Sequence, residues 1–517
     1  METKTESNTW QPDLGDGIFQ NPIIHADYSD PDVIRVGDDF FMVSSSFSHM
    51  PGLPILHSKD LVNWKIVNHV IERLELPGYD KPQHGKGVWA PSIRYHNNKF
   101  WVYFSTPDEG IFMSTTKDPF GRWEPLHRLK EVKGWIDPCP FWDDDGQAYL
   151  VNAFAYSRCG RKHILNLSKM SADGKNLLDD GQIIYDGTLK HPTLEGPKFY
   201  KRNGYYYIFA PAGGVETGWQ TILRSKSVFG PYEDKIVLHQ GDTEINGPHQ
   251  GGWVELDSGE SWFVHFQDKG VYGRIVHLQP VKWVDDWPLM GQRIDSDGKG
   301  EPVKLWKKPD IGKSCLIENP QTSDEFESDQ LGLQWQWQAN PNSQWYSLSE
   351  SHLRLFAHSI PDEGTLYEAP HLLMQKFPAE LFTATSKITY DSLSANDRTG
   401  LIIFGESYSY ISIEKNEQEN FVLSQYVGEW KDDRRVEKKI IQTEVPVASL
   451  YLRVRVHNYG VCIFSYSING LDFYIFGDDF IANEGKWVGA KVGIFAAHLT
   501  QGTSEGYTDF DWFRINS

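Results

Sequence analysis

Polar and apolar positions along the first half of the chain recur as a unit. A polar residue and a proline precede a short alternating run; a turn of Gly, Asp or Asn follows, and an aromatic-rich run completes the unit. "YSDPDVIRVGDDFFMVSSS" (Tyr28–Ser46), "WAPSIRYHNNKFWVYFS" (Trp89–Ser105), "IDPCPFWDDDGQAYLVN" (Ile136–Asn152) and "EGPKFYKRNGYYYIFAP" (Glu195–Pro211) are four copies. "HQGGWVELDSGESWFVHF" (His249–Phe266) is a looser fifth, with glycine where the proline was. Copies return roughly every 47 to 60 residues, close to the period of about 50 of a four-stranded propeller blade. Alternation in period two marks half-buried strands, and turns such as "HNN" and "RNG" join them into hairpins. Two more strand-like runs follow in most units, as in "LPILHSKDLVNWKIV", "GIFMSTTKDPFGRWEPL" and "TILRSKSVFGPYE". Five four-stranded units predict a five-bladed β-propeller over residues 16–295, in preference to an irregular β-sandwich.

The pattern then changes. Residues 296–323, which overlap "DSDGKGEPVKLWKKPDIGKS" (Asp295–Ser314), are polar and bear Gly, Pro and Lys, which predicts a linker. From 324 to 517 the segments "SHLRLFAHS", "LFTATSKITYD", "TGLIIFGES", "SYISIEKN", "NFVLSQYV", "YLRVRVHN", "CIFSYSIN" and "VGAKVGIFAAH" alternate in period two. Short strands separated by Gly, Asn and Asp turns predict a jelly-roll (concanavalin-like) β-sandwich. Neither half shows a helix of convincing periodicity, so the fold class is all-β.

Composition adds constraints on partners. Aromatics make up 14% of the chain, with 19 tryptophans; they suit pleated strands and offer stacking faces for sugars. A net charge of −20 argues against nucleic acid and anionic membrane, which need a basic surface, and fits a small neutral substrate. Self-association into a homo-oligomer stays open. Cys139, Cys159, Cys315 and Cys462 are scattered and follow no metal-ligand spacing or disulfide framework. The stretch "METKTESNTWQPD" lacks an apolar signal core, and no run of 18 apolar residues occurs. A soluble, cytoplasmic protein is the expectation.

In a propeller, equivalent repeat positions surround one axis. Aligned on Pro31, Pro91, Pro138 and Pro197, the preceding residues are Asp30, Ala90, Asp137 and Gly196, with Glu195 one further back. The fifth copy offers His249 and Gln250 at a similar offset. Asp30, Asp137, Glu195 and His249 are therefore expected at one end of the central channel. An Asp before Pro is commonly a turn former. Gathered carboxylates, however, repel, so at least one should keep its proton near neutral pH. A protonated acid beside an ionised one is what glycoside hydrolysis requires.

These segments resemble glycoside hydrolase family 43, the β-xylosidases, α-L-arabinofuranosidases and arabinanases. "NPIIHADYSDPDVIRVGDDFFMVSSSF" is similar to the family's opening, "GWIDPCPFWDDDGQAYL" to its second-carboxylate segment and "TLEGPKFYKRNGYYYIFAPAGG" to its acid segment. "GDTEINGPHQGGWVEL", "VKWVDDWPLMGQRIDSDGKGEP" and the terminal "QGTSEGYTDFDWFRI" extend the likeness over nearly the whole chain. The resemblance implies Asp30 as general base, Glu195 as general acid and Asp137 as the carboxylate that raises and orients the acid. It implies inversion in a single displacement, with carboxyls about 6.5–9.5 Å apart to admit a water. It implies Arg274 as a contact to substrate hydroxyls, and His249 as a ligand on the axis for Ca²⁺, an ion that takes mainly oxygen ligands. Family members often carry a small residue after the proline, where this chain has Asp32. Strand alternation would put Asp32 on the face of Asp30, adding charge near the site or bonding the local backbone. Asp27 is a lesser candidate for the base.

Trp89 and Phe47 are candidates for the sugar-binding wall and Trp135 a lesser one, core packing being the alternative for each. The implied activity is exo-acting release of terminal β-D-xylopyranose and/or α-L-arabinofuranose from short plant cell-wall oligosaccharides. Retaining fructan and sucrose hydrolases share the architecture, but their "NDPNG" opening and "EC" acid motif are absent. A non-catalytic carbohydrate-binding propeller is the remaining alternative.

Overall fold

The computed structural model describes residues 9–517 except 350, 351, 362, 363, 417 and 433. Most of the amino-terminal stretch read above, and Ser351 at the head of one predicted strand, lie outside the described residues. The first half forms five four-stranded antiparallel sheets, each built from consecutive strands. Their innermost strands are Asp32–Val36, Trp89–His96, Trp135–Trp142, Lys198–Arg202 and His249–Glu255. These are the five blades of a propeller.

The local causes are visible in the turns. Asn97-Asn98 and Asn203-Gly204 each join two strands with positive φ at both residues, the twist that a two-residue hairpin needs. Each pair of neighbouring blades encloses its own apolar core. Val33, Val264 and Leu278 pack between the fifth and first blades, and Phe41, Ile93 and Phe104 between the first and second. Tyr103 and Leu150, then Val151 and Ile208, then Phe209 and Phe263 fill the remaining three junctions. Side chains alternate around the blades as they would through a single sandwich, with the cores arranged in a ring.

Residues 296–323 run along the propeller. Leu305–Lys307 pairs antiparallel with Ile18–Gln20, Lys308 contacts Asp13 and Asp60, and Lys65 Nζ lies 2.6 Å from Glu318. The second half is a two-sheet sandwich. One sheet runs from Gln336–Trp337 to Arg434–Glu444, the other from Tyr346–Ser349 to Tyr474–Ile475. Ser449–His457 shows the expected alternation, with Leu450, Leu452, Val454 and Val456 turned into the core between the sheets. Among the described residues the one α-helix is the single turn Tyr156–Cys159.

Candidate active site

The repeat alignment has a counterpart in the backbone. Asp30, Ala90, Asp137, Gly196 and Gln250 all have positive φ, one at the head of each blade. Asp tolerates this region better than most residues, and each such non-glycine residue costs on the order of 1–3 kcal/mol, a cost that recurs at functional sites. Glycine is needed in the fourth blade, where a Cβ on Gly196 would come within 2.8 Å of the Gln250 side chain. In the second, third and fifth blades the inner hairpin also shifts register there, between Trp89 and Ser92, Ile136 and Cys139, and His249 and Gly251. A bulge beside a kink re-aims side chains away from the sheet. Five such kinks aim them at one end of the axis.

There Asp30 is buried and accepts from three donors. Ser45 Oγ and Ser29 Oγ reach its Oδ2 at 2.6 and 2.8 Å, and Arg274 Nη1 reaches Oδ1 at 3.3 Å. Arg274 Nη1 also donates to Ser29 Oγ at 2.8 Å, and Ser45 Oγ accepts from the Ala90 backbone at 2.8 Å. Asp137 Oδ2 accepts from the Gly196 N–H at 2.8 Å, so the second acid is tied to the residue after Glu195. Glu195 keeps 26% of its side chain open to solvent, and its Oε1 lies 3.5 Å from His249 Nε2.

Burial, then the charges of Asp137 and Asp30, push the Glu195 carboxyl up to about 8 against the pull of Arg274. Asp137 is pushed up to about 7 by burial and by Asp30, held back by the Gly196 N–H, Lys198 and Arg274. The two titrate as one coupled system. Burial pushes His249 down to about 3, helped by Arg274 and His265, so its ring is neutral. Below this layer the axis is filled by cations. Lys198 Nζ donates to Pro91 O and Ser92 Oγ at 2.7 and 2.8 Å, and Arg94 meets Asp32, Cys139 and the Tyr200 ring. These side chains form a floor beneath the carboxylates.

Asp32 departs from the alternation argument. The kink at Asp30 breaks the two-residue period, so the two acids diverge. Asp32 is fully buried between blades, its Oδ2 at 2.7 Å from Arg94 Nη1 and 2.9 Å from the Ile93 N–H, with Oδ1 on the Val33 N–H. It serves packing between blades, with a local backbone bond as one part of that role. Asp27 faces away from the carboxylates, its oxygens on the backbone N–H groups of Arg274 and Gly489.

At the rim, Phe47 is only 4% exposed and packs edge-on to Trp89 with ring centroids 6.2 Å apart. It backs Trp89 and presents little face of its own. Trp135 packs on Phe154 in the core between the second and third blades. A residue from the other domain joins the rim: Trp487 meets Trp89 edge-to-face at 6.2 Å. Ser29, Ser45 and Trp487 were not foreseen. The first two flank visible motifs ("YSD" and "VSSSF"), whereas Trp487 lies nearly 400 residues from Trp89 with no repeat to align it.

As for an ion on the axis, both ring nitrogens of His249 are buried without a hydrogen-bond partner, which favours a ligand there. Among the described residues, however, no three His, Cys, Asp or Glu side chains gather as a metal-binding group. A Ca²⁺ would have one imidazole from the protein and depend on water for the rest. A cavity of about 840 Å³ lies elsewhere, lined by Trp10, His25, Tyr28, Asn319, Gln334 and Gln375, and Asp30, Asp137 and Glu195 are not among its lining residues.

Comparison with known proteins bears on this geometry. Residues 19–288 match the family described as Glycosyl hydrolases family 43, and residues 323–516 match the Beta xylosidase C-terminal Concanavalin A-like domain. A β-xylosidase from Formosa agariphila is 32% identical over 99% of this chain and 92% of its own length. A non-reducing end α-L-arabinofuranosidase from Bacteroides ovatus is 29% identical over 97% and 95%. The crystal structure of a xylan β-1,4-xylosidase from Bacillus halodurans superposes with a TM-score of 0.84 at 25% identity, covering 96% of this chain and 100% of that one.

Proposed function

Because this chain belongs to glycosyl hydrolases family 43, we propose that it releases terminal β-D-xylopyranose and/or α-L-arabinofuranose from short xylan-type oligosaccharides, inverting the anomeric centre. That it is a glycoside hydrolase of the β-xylosidase/arabinofuranosidase type follows from the same matches. The observation that carries the finer reading is the contrast between two carboxyls. Glu195 is held toward its protonated form, and Asp30 accepts from three donors.

In this reading Glu195 gives its proton to the glycosidic oxygen as the bond from that oxygen to the anomeric carbon breaks. A water on the opposite face forms the new bond, and Asp30 takes its proton. Asp137 raises the acid through its charge and fixes the Glu195-Gly196 segment through the Gly196 N–H. Arg274 steadies Asp30 and faces the sugar hydroxyls, with Trp89 as the wall. The floor and the sandwich residue at the rim favour a single terminal sugar over a chain passing through. A Ca²⁺ at His249, a secondary proposal, would supply positive charge beneath the sugar; rates indifferent to EDTA and to added Ca²⁺ would remove it.

Initial rates on 4-nitrophenyl β-D-xylopyranoside and α-L-arabinofuranoside, measured side by side, test the substrate class. Product anomers followed by NMR test the stereochemistry. Turnover of at least one glycoside with net inversion is expected; net retention, or no turnover of either, would overturn the reading.

A further inference from the structure

Asp27 is a buried carboxylate that the hydrolytic step leaves unused, yet its surroundings are built with unusual closeness. Oδ1 accepts from the Arg274 N–H at 2.9 Å. Oδ2 accepts from the Gly489 N–H at 3.0 Å, across 462 residues and from the sandwich. Both donors are backbone groups with fixed directions, so the carboxylate locks the two segments together. Two glycines make room for it: a Cβ on Gly273 would lie 2.5 Å from Asp27 Cγ, and one on Gly489 would lie 2.6 Å from the Gly273 nitrogen. The buried Lys491 and half-buried Lys376 of the sandwich stand nearby, and Asp27 is the acid whose charge favours the charged form of both. Lys376 Nζ lies 3.2 Å from Gln336 Oε1 and 5.2 Å from the centre of the Tyr28 ring.

Each strand leaving this junction leads to the site. Three residues after Asp27 comes Asp30. Arg274 carries its guanidinium to Ser29 and Asp30. Two residues before Gly489, Trp487 reaches Trp89, and its neighbour Lys486 lies against Gly85, on the segment leading into Trp89. One side chain thus sets the spacing between the sugar-facing arginine and the sandwich part of the rim.

We propose that Asp27 is a positioning residue that couples the sandwich to the sugar site, holding Arg274 and the Gly485–Gly489 loop in one hydrogen-bonded junction. The inference rests on the pentosidase reading for what Arg274 and Trp89 bind; the junction itself is independent of it. An Asn at this position keeps one acceptor and turns an N–H₂ toward a backbone N–H, so one arm of the junction opens. Placement errors of about 1 Å away from the chemistry can cost about a hundredfold.

The test compares Asp27→Asn with Gly489→Ala, which presses on the same junction from the sandwich and alters no propeller residue. For each, KM on the better aryl pentoside is expected to rise about tenfold while kcat falls less, the sign of lost ground-state binding. The double variant should cost less than the product of the two, because both break one contact. Folded variants with parental KM and kcat, whatever their melting temperature, would overturn the proposal. If Asp27→Asn does not fold, Gly489→Ala carries the test alone. Hydrogen exchange supplies a readout independent of turnover: in Asp27→Asn the amide that loses its acceptor, Arg274 or Gly489, should exchange faster than in the parent. An inactive parent would sink the pentosidase reading, and unchanged protection of the two amides would sink the junction.

Discussion

Two buried acid clusters in this molecule have opposite electrostatics. In the sandwich, Glu414 and Glu437 surround Arg398, and Glu437 also accepts from the Leu366 N–H. Arg398 reaches Glu414 at 2.8 Å, Glu437 at 3.3 Å and the hydroxyls of Tyr410 and Tyr426 at 2.6 and 2.9 Å. Ser424, Tyr426 and Lys439 satisfy the other oxygen of Glu414. Arg398 and Lys439 outweigh burial and draw Glu414 down to about 2. At the propeller mouth, Arg274 pairs with Asp30 alone, and Glu195 and Asp137 are pushed up despite the pull of Arg274 on both and of Lys198 on Asp137. Under the proposed function, the charge that serves structure is the one matched by cations, and the charge that serves proton transfer is the one left short of them. The contrast separates the two uses without reference to any sequence motif.

The strongest way to break it is to remove the acid. Glu195→Gln keeps the shape and loses the proton, and kcat on a substrate with a poor leaving group should fall by about 10²–10⁴. Asp30→Asn should lose a comparable factor. Near-parental turnover in either, measured on folded protein by steady-state kinetics, would mean that the mouth cluster is not the reacting one.

The counterpart in the sandwich is Arg398→Met. Leaving two buried carboxylates without their partner should cost on the order of 3–5 kcal/mol in unfolding free energy, by analogy with other broken buried pairs. Chemical denaturation reads that loss. Under conditions where the variant is folded, kcat should be unchanged, because no member of the network touches the mouth. A proportional fall in kcat would show that the two regions are not separable.

How much of this was legible depends on periodicity. The five blades and most sandwich strands follow from two-residue alternation, and the blade heads follow from the prolines, because the repeated kink re-creates one geometry five times. Arg434–Glu444 was missed: this edge strand is charged and largely exposed, so it lacks the apolar alternation that marks a strand. Charged edges of this kind discourage strand pairing between molecules. The helix Tyr156–Cys159 is one turn, too short for a helical period to show. Of the two roles read for Asp32, the local backbone bond is present, whereas charge beside Asp30 is not, because alternation assumes regular backbone and the Asp30 kink removes that premise. Trp487 and the Asp27–Gly489 bond depend on how two domains dock, which no local pattern encodes.

A smaller effect sharpens the electrostatic side. Asp137 contributes the largest carboxylate charge acting on Glu195. Asp137→Asn should therefore lower the Glu195 pKa, moving the alkaline limb of the kcat/KM profile down by about one pH unit, the size of effect a close like charge produces. A limb that stays in place while kcat falls would assign Asp137 to geometry alone, through its bond to Gly196.

The smallest effect has opposite signs in the two regions. Glu195 is raised in the folded state, to about 8 against an ordinary 4.5, so folding keeps a proton that the unfolded chain releases. Its stability is greatest below about pH 4.5 and declines as pH climbs toward 8. A Gln cannot ionise, so Glu195→Gln should melt above the parent at pH 7–8 and converge with it near pH 4. Glu414 is lowered to about 2, so its contribution is present above about pH 4.5 and disappears as pH falls toward 2. Glu414→Gln should accordingly melt below the parent at pH 7, with the gap narrowing under acid. Calorimetry of both variants across that range tests the pair. If Glu195→Gln destabilises at pH 7–8, the mouth carboxyls are structurally satisfied after all, and the contrast between an underpaired and a paired cluster fails at its root.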